Sequence, residues 1–509
     1  MLLIYPPISK PCEPPIGIAR LAGALYANNT GFDVIDANIE GIYWLIKNTP
    51  SLGDRWTMRA TKNLDVNIAS IKNGHAFKNM ARYKKAVYEI NRLLLVSQPG
   101  QAIKITLTDY EDKALSPVNS HDLIYAACNF EKNPFYVYFS HRLKNILEKK
   151  DYKTIGISIN YLSQALCGFS IIGFLRHNYP HIRIVIGGSL ITSWMGNKGP
   201  DNMFGDLVDY IITGPGEIPL LRLLGKDIKQ GIKPAPLYDV FNRDPYLSPG
   251  FIIPYNTSTG CYWGRCTFCP ERAEGNRYIQ TDPLYAVHEL SDIIDHTGPC
   301  LIHLTDNAVS PAVMKALIKN PLPAPWYGFA RVNKDLTDMD FCMGLKRSGC
   351  VMLKLGVESG DQSVLDMMNK GIVLEDVVGT LENLKKAGIG TYVYILFGTP
   401  YESKESARKT IDFIAKNHKN IDFINCAIFN LPLNSPDARG LEIREFYKGD
   451  LSLYGDFVHP KDWGRLKVRR FIEKEFKGHP LIKPIIQRQP PFFTSNHAPF
   501  FAISQGKVC

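Results

Sequence analysis

Three cysteines, Cys261, Cys266 and Cys269, stand within nine residues in the segment TGCYWGRCTFCPE. Their spacing is Cys-x4-Cys-x2-Cys. Three thiolates on so short a loop can hold three irons of a [4Fe–4S] cluster, leaving the fourth iron for an exogenous ligand. Two other chemistries compete. A zinc site normally closes with four protein ligands, and no paired fourth Cys or His is spaced nearby. A Cys-x2-Cys redox pair leaves Cys261 without a role. Three unrelated structural cysteines are the remaining reading.

The other eight of the 11 cysteines are scattered, at 12, 128, 167, 300, 342, 350, 426 and 509. Free cysteines of this kind behave as small buried hydrophobes. The first residues, MLLIYPP, read as a short strand and lack the basic start and long apolar stretch of a signal peptide. No run approaches the ~20 apolar residues of a membrane span. The expected compartment is therefore the cytoplasm, where disulfides are rare. With 509 residues, 45% hydrophobic and 21% charged, the chain reads as a folded protein of roughly three domains. The net charge of +10 is half supplied by residues 441–509. That basic tail fits an anionic ligand or an ordinary solvated surface.

The elements that must position the cysteines follow from apolar periodicity. LLIY (2–5), FDVIDAN (32–38), TIGISIN (154–160), IRIVIGGS (182–189) and YIITGPGE (210–217) are apolar strands, several ending in glycine-rich turns. Helical patterns between them predict a parallel Rossmann-like α/β domain over 1–225. A helical insertion interrupts it at about 40–150, with helices near 76–97 and 139–149. Residues 226–250, rich in proline, read as a linker. Six further strands, at 252–259, 300–306, 326–332, 351–359, 391–398 and 423–430, alternate with helical patterns such as 281–296, 362–388 and 403–417. They predict a partial (β/α)6 TIM-type barrel over 251–432, with its site at the strand carboxyl ends. Residues 433–509 form a short aromatic C-terminal region.

With the cysteines just after the first barrel strand, residues 250–430 resemble the radical S-adenosylmethionine (radical SAM) superfamily. The usual family spacing is x3 then x2, so this loop carries one extra residue. The resemblance implies that the open iron binds S-adenosylmethionine and that one-electron cleavage yields a 5′-deoxyadenosyl radical. It places Phe268, the aromatic residue before the last cysteine, beside the adenine. Glu358 in LGVESG resembles the polar residue that contacts the amino group or ribose. Arg331 in FARVN is expected to pair with the carboxylate, which a guanidinium fork matches well. Gly398 ends the fifth strand, and Asp306 and Asn307 end the second. For each of these, capping the following helix is the plain alternative.

The amino-terminal pattern, YPP, PPIGIARLAGAL, GISIN-YLSQ, IVIGGS and ITGPGE, resembles the cobalamin-binding subclass of that superfamily. By resemblance, Ser158, Leu162 and Ser163 face the corrin. Gly187, Gly188 and Ser189 border the nucleotide tail, and Gly214, Gly216 and Glu217 form a second turn. No Asp-x-His-x-x-Gly motif occurs in residues 1–230, which implies that no histidine lies beneath cobalt and that the 160–162 loop lies there instead.

The resemblance implies a cobalamin-dependent radical SAM C-methyltransferase acting on an unactivated carbon of a small-molecule, lipid or tetrapyrrole substrate. Its cofactors would be a [4Fe–4S] cluster, S-adenosylmethionine and cobalamin. An external one-electron reductant such as flavodoxin or ferredoxin would serve it. No nucleic-acid module is visible, and no catalytic residue is singled out. Cyclisation, ring rearrangement or oxidation without methyl transfer is the alternative, and a non-enzymatic electron carrier the rival from another class. The tail residues Phe492, Phe493, His497, Phe500 and Phe501 either close over the substrate or pack on the barrel.

Overall fold

The computed structural model describes residues 1–50, 53–98, 100, 102–196, 203–226, 234–491 and 497–506. They form two compact units, 1–251 with 448–452, and 252–447 with 453–509.

In the first unit a five-stranded parallel sheet is built from β1 (Leu2–Tyr5), β2 (Asp33–Asp36), β3 (Thr154–Ser158), β4 (Arg183–Gly187) and β5 (Tyr210–Ile211). The spatial order is β2-β1-β3-β4-β5. Strands β1 and β3 are buried along their whole length. That is why they read as unbroken apolar runs: a parallel sheet is covered on both faces. The helices α1 (Ile16–Ala27), α2 (Leu162–Asn178), α3 (Ser189–Met195) and α4 (Glu217–Leu223) alternate with the strands. In this flavodoxin-type order the strand sequence reverses between β1 and β3. The crevice at their carboxyl ends is where such folds bind ligands.

The segment 37–150, between β2 and β3, is mainly helical. Its helices include Met80–Val96 and Tyr136–Leu147, close to the predicted pair. It also holds helices Arg55–Lys62, Leu64–Lys72 and Ser120–Cys128 and a hairpin, Ile103–Ile105 with Tyr110–Asp112. The buried Glu89 ties part of it together, accepting from Asn63 and Asn67 and pairing with Arg59 at 2.8 Å. The described part of the 226–250 segment, expected as a linker, packs into this unit. Tyr238, Phe241, Tyr246 and Leu247 are buried there, and the Leu237 N–H donates to the Ala19 carbonyl at 2.9 Å. Proline spacing hid this because the burial is carried by isolated aromatic residues.

The second unit holds β6 (Ile252–Tyr255), β7 (Leu301–Leu304), β8 (Trp326–Ala330), β9 (Cys350–Glu358), β10 (Gly390–Phe397) and β11 (Phe423–Ile428). They pair in sequence order, all parallel, with no bond between β6 and β11. Helices α5 (Pro283–Thr297), α6 (Pro311–Lys319), α7 (Met339–Arg347), α8 (Leu374–Lys386) and α9 (Lys404–Lys416) join consecutive strands. This is a partial (β/α)6 barrel. Its helix starts are set by the sequence: Asp282 and Ser310 cap α5 and α6 through their side chains, each followed by a proline at the first helical position.

One face of this sheet is aliphatic, with Ile302, Leu304, Leu353, Leu355 and Val393 all at 1% exposure or less. The other face carries His303, Tyr327, Phe329, Lys354, Gly356, Tyr392 and Tyr394, linked by register and ring contacts. A Cβ placed on Gly356 would stand 2.6 Å from the Glu358 carboxylate. This second face is therefore the one that serves the strand-end site, the barrel lumen.

The tail packs at the opposite end. The His497 ring stacks on Tyr392 at 4.2 Å, and Phe501 meets Phe423 edge-on at 5.7 Å. A Cβ on Gly390, the first residue of β10, would stand 2.4 Å from the Phe501 ring. His497 and Phe501 thus lie at the amino-terminal ends of β10 and β11, away from the cysteine loop, so for these two residues packing is the outcome. Phe492 and Phe493 lie outside the described residues.

Candidate functional site

The three cysteines lie on the loop that leaves β6, at the carboxyl end of the barrel. All three are partly exposed and free. Burial pushes the Cys266 thiol up and the Cys269 thiol up to about 11. Three neighbours hold the loop. The Thr267 N–H donates to the Met368 carbonyl at 3.0 Å, the Trp263 indole N–H donates to the Asn369 carbonyl at 3.1 Å, and the Asn307 amide donates to the Gly260 carbonyl at 3.2 Å. Two of these acceptors sit in the turn 368–371.

That turn is a break in the predicted 362–388 helix. The structure has helix Gln362–Met367, then Asn369 and Gly371 at φ +51° and +64°, then α8. Left-handed backbone ends the helix. At Gly371 the reason is also spatial: an added Cβ would stand 2.2 Å from the Trp263 ring.

Arg331 follows β8 and is mostly buried. Its guanidinium covers the Trp263 ring, 4.0 Å from the centroid, and donates to the Lys370 carbonyl. Burial lowers its pKa, and the neighbouring Cys266 opposes this. The β9 end carries Glu358 at φ +67° beside a register shift in the ladder. A non-glycine residue there is uncommon and marks functional sites. Glu358 pairs with Lys370 at 2.7 Å, both side chains nearly buried. The Lys370 ammonium also lies 5.7 Å from the Phe268 ring centroid. The structure thus gathers the cysteine loop, Phe268, Arg331 and Glu358 at one end of the lumen.

Gly398 follows β10 at φ +83°, and its N–H donates to Glu402 at 2.6 Å. The same carboxylate oxygen accepts from the Trp463 indole at 2.9 Å, and burial raises the Glu402 pKa to about 7. Asp306 is fully engaged in structure. It accepts from Thr257 and Ser258 and fixes the start of the cysteine loop. Sequence reasoning singled out neither Trp263, Lys370 nor Glu402. An indole inside the x4 interval was the available signal for the first.

In the first unit, the switch-point loops are pinned by Gln164, which is 0% exposed. Its amide donates to the Pro6 carbonyl at 2.7 Å and its oxygen accepts from the Asn160 and Tyr161 N–H groups. Ser163 donates to the Ile8 carbonyl at 2.8 Å. Ser158 accepts from Asn160, whose oxygen accepts from the Ser189 N–H at 3.0 Å. Ser158, Gly187, Gly188 and Ser189 therefore meet on adjacent strand ends. Gly188, at φ +110°, is required by the protein itself: a Cβ would stand 2.4 Å from the Ile159 carbonyl oxygen. The glycine turn thus brings two loops together before any ligand is considered. Gly214, Gly216 and Glu217 lie at the end of β5, with the Gly214 N–H donating to Thr192. Tyr161 and Leu162 stand at the switch point, 48% and 36% exposed.

Residues 255–414 match the family model for the radical SAM superfamily. This segment is a radical SAM domain. Such a domain uses a [4Fe–4S] cluster and S-adenosylmethionine, and the loop fits the cluster. Among the described residues no three His, Cys, Asp or Glu side chains gather about one point as ligands of a single ion would. A [4Fe–4S] cluster has no such need, because each thiolate bonds its own iron. Arg331 supplies a cation beside Cys266 and Cys261, suited to thiolate charge.

The chain is 27% identical over 315 residues to an uncharacterized methyltransferase of Pyrococcus horikoshii, covering 54% of this chain and 66% of that protein. It is 26% identical over 182 residues to an anaerobic magnesium-protoporphyrin IX monomethyl ester cyclase of Rubrivivax gelatinosus, covering 34% of this chain and 32% of that one. The chain thus spans just under two thirds of the first relative and about a third of the second. The fold is similar to that of the radical S-adenosylmethionine methyltransferase TsrM of Kitasatospora setae, solved with cobalamin and a [4Fe–4S] cluster. There the TM-score is 0.52, at 16% identity over 88% of this chain and 81% of that one. Among the described residues no helix is long and apolar enough to cross a membrane.

Proposed function

We propose that the chain is a cobalamin-dependent radical SAM enzyme that methylates an unactivated carbon of a small-molecule, lipid or tetrapyrrole substrate. The observation that carries this reading is the pairing, in one chain, of the barrel with its three-cysteine loop and a flavodoxin-type sheet with Tyr161 and Leu162 exposed at its switch point. Cys261, Cys266 and Cys269 would hold the cluster. Arg331, Glu358, Phe268 and Gly398 would orient S-adenosylmethionine. Ser158, Leu162, Ser163, Gly187, Gly188, Ser189, Gly214, Gly216 and Glu217 would border cobalamin. When bound, the cluster supplies the electron that cleaves S-adenosylmethionine and cobalamin carries a transferable methyl group.

The chain's own contribution is positioning. Arg331 offers a planar donor fork for a carboxylate, held in place by Trp263. Lys370 keeps Glu358 in one rotamer, so its carboxylate is set before an ammonium group arrives. The packed walls exclude water from a reactive intermediate. At the other site, the 160–162 loop would border cobalamin, and it carries no histidine.

The test is anaerobic reconstitution with iron, sulfide and hydroxocobalamin, followed by visible spectroscopy and product mass. Corrin absorption retained through gel filtration, and a product gain of one CH2, support the reading. Nitrogen superhyperfine coupling from a protein histidine in the cobalt(II) spectrum would contradict the proposed loop. The likeness to the protoporphyrin ester cyclase favours a second reading, ring formation without methyl transfer. It predicts a product without the added CH2.

A further inference from the structure

Thr267 and Phe268 are the two residues between Cys266 and Cys269. Each thiolate of a [4Fe–4S] cluster bonds its own iron, so this interval must hold its two sulfurs at the spacing of two irons. The backbone of the interval is tied to the barrel by the Thr267 N–H on the Met368 carbonyl. Its side chains meet a different part of the unit. The Phe268 ring packs against Phe429, Leu431 and Ala438, with Leu441 and Phe457 in the same cluster. Burial raises the Tyr454 pKa, and Glu274, Cys269 and Glu271 add to the rise, which sets Tyr454 beside the last cysteine.

These partners come from the segment that follows β11. There Tyr454–Phe457 pairs antiparallel with Leu431–Pro432 and with Ile443–Arg444. The turn Pro436–Ala438 follows the Leu431–Pro432 strand, and the Ser435 hydroxyl before it donates to the Pro432 carbonyl at 2.7 Å. This turn carries Asp437, which is 4% exposed. Asp437 Oδ1 accepts from the Tyr401 phenol at 2.8 Å, and Oδ2 is buried without a hydrogen bond. Burial raises the Asp437 pKa, opposed by Thr267, Tyr401 and Arg272. Burial also raises the Tyr401 pKa to about 12, with Asp437 adding to the rise and Thr267 opposing it. The Thr267 hydroxyl therefore faces both groups. Its bond to the Met368 carbonyl is long, 3.3 Å, and the Asp437 carboxylate has acceptor capacity left for it.

Both residues of the interval are thus anchored by side chains from beyond the last barrel strand. We propose that Asp437 is a positioning residue of the cysteine loop, acting through Tyr401 and Thr267 to hold Cys266 and Cys269 at the separation a cluster requires. The segment 429–457 is then part of the cluster's binding apparatus. This rests on the reading of the loop as the cluster site.

The test uses the full chain, thiol-reduced and iron-free, with iodoacetamide as the probe and peptide mass spectrometry to locate it. Asp437→Ala should speed labelling of Cys266 and Cys269 at least about tenfold, the size of one lost hydrogen bond to a charged group. Cys261 should change by less than about twofold, because local opening is confined to the released part and Asn307 and Asn369 hold the other side of the loop. Asp437→Asn keeps an oxygen for Tyr401 and should restore slow labelling. A residue that only supports the fold would show no such selectivity. The buried Cys342 and Cys350 report global opening. If they react in Asp437→Ala, Tyr401→Phe takes its place and should show the same selectivity. After anaerobic reconstitution, iron loss to a chelator should follow the order of labelling.

Unchanged labelling in a variant whose Cys342 stays protected, equal acceleration at Cys261, or no rescue by Asp437→Asn overturns the proposal. An S-adenosylmethionine cleavage assay on the reconstituted unmodified chain separates the two claims. Cleavage together with unselective labelling removes the Asp437 role alone, and selective labelling without cleavage removes the radical reading alone.

Discussion

The Trp263 indole meets both the Arg331 guanidinium, 4.0 Å from its ring centroid, and the turn at Gly371. Trp263 lies inside the Cys-x4-Cys interval, so the longer loop is fixed by a ring that is stacked and hydrogen-bonded. A cation over tryptophan contributes about 1–2 kcal/mol when partly desolvated. Gly371→Ala forces the added methyl into that ring at a left-handed position. It should lower the iron bound per chain after anaerobic reconstitution, as should Trp263→Ala. Trp263→Phe, which keeps a ring over Arg331, should retain more iron than Trp263→Ala. Iron and sulfide assays read all three.

The Glu358–Lys370 pair is nearly buried, so removing one partner strands the other charge. Lys370→Met should destabilise the chain by about 3 kcal/mol, read as a lower denaturant midpoint. Glu358→Gln should cost less stability, because the amide oxygen still accepts from Lys370. It should weaken S-adenosylmethionine binding, measured by equilibrium dialysis.

Glu402 gives a pH signature. Its carboxyl is buried and its pKa raised to about 7. A buried acid holds its proton more tightly when folded than when unfolded. Stability therefore falls as pH rises from the unfolded value near 4.5 through about 7. The span corresponds to about 3 kcal/mol at most. Asp36, raised to about 6 by burial, adds to the same trend. Glu402→Gln keeps an acceptor for the Gly398 N–H and Trp463, and should flatten the fall in denaturant midpoint between about pH 5 and pH 8.

Gly188→Ala should destabilise the first unit, since the methyl would meet the Ile159 carbonyl oxygen at 2.4 Å. The cost should exceed the ~1 kcal/mol of a simple left-handed penalty. It should appear in chemical denaturation with no cobalamin present, which separates it from a ligand effect.

Much of this was legible in the sequence. The strands of both sheets follow from apolar runs, because a parallel sheet buries both faces. The cysteine spacing picked out the loop at the strand ends where Phe268, Arg331 and Glu358 gather. Arg331 and Glu358 could be placed there because strand ends face one way. What stayed hidden depends on distant pairs. Trp263 and the 368–371 turn lie in different elements, and the turn lies in a stretch that reads as one helix. Gln164 looked like an ordinary residue of a buried helix until its bonds to Pro6 and Asn160 were seen. Lys354 follows an apolar strand pattern, and only the register with Phe329 and Tyr392 shows which face it occupies.

Radical chemistry at the cysteine loop is read by 5′-deoxyadenosine formation from S-adenosylmethionine, using the anaerobically reconstituted, dithionite-reduced chain alongside Cys266→Ala. Release by the unmodified chain and loss to background in the variant are expected. No release from a chain that has taken up a full [4Fe–4S] cluster, or equal release by Cys266→Ala, would contradict that chemistry.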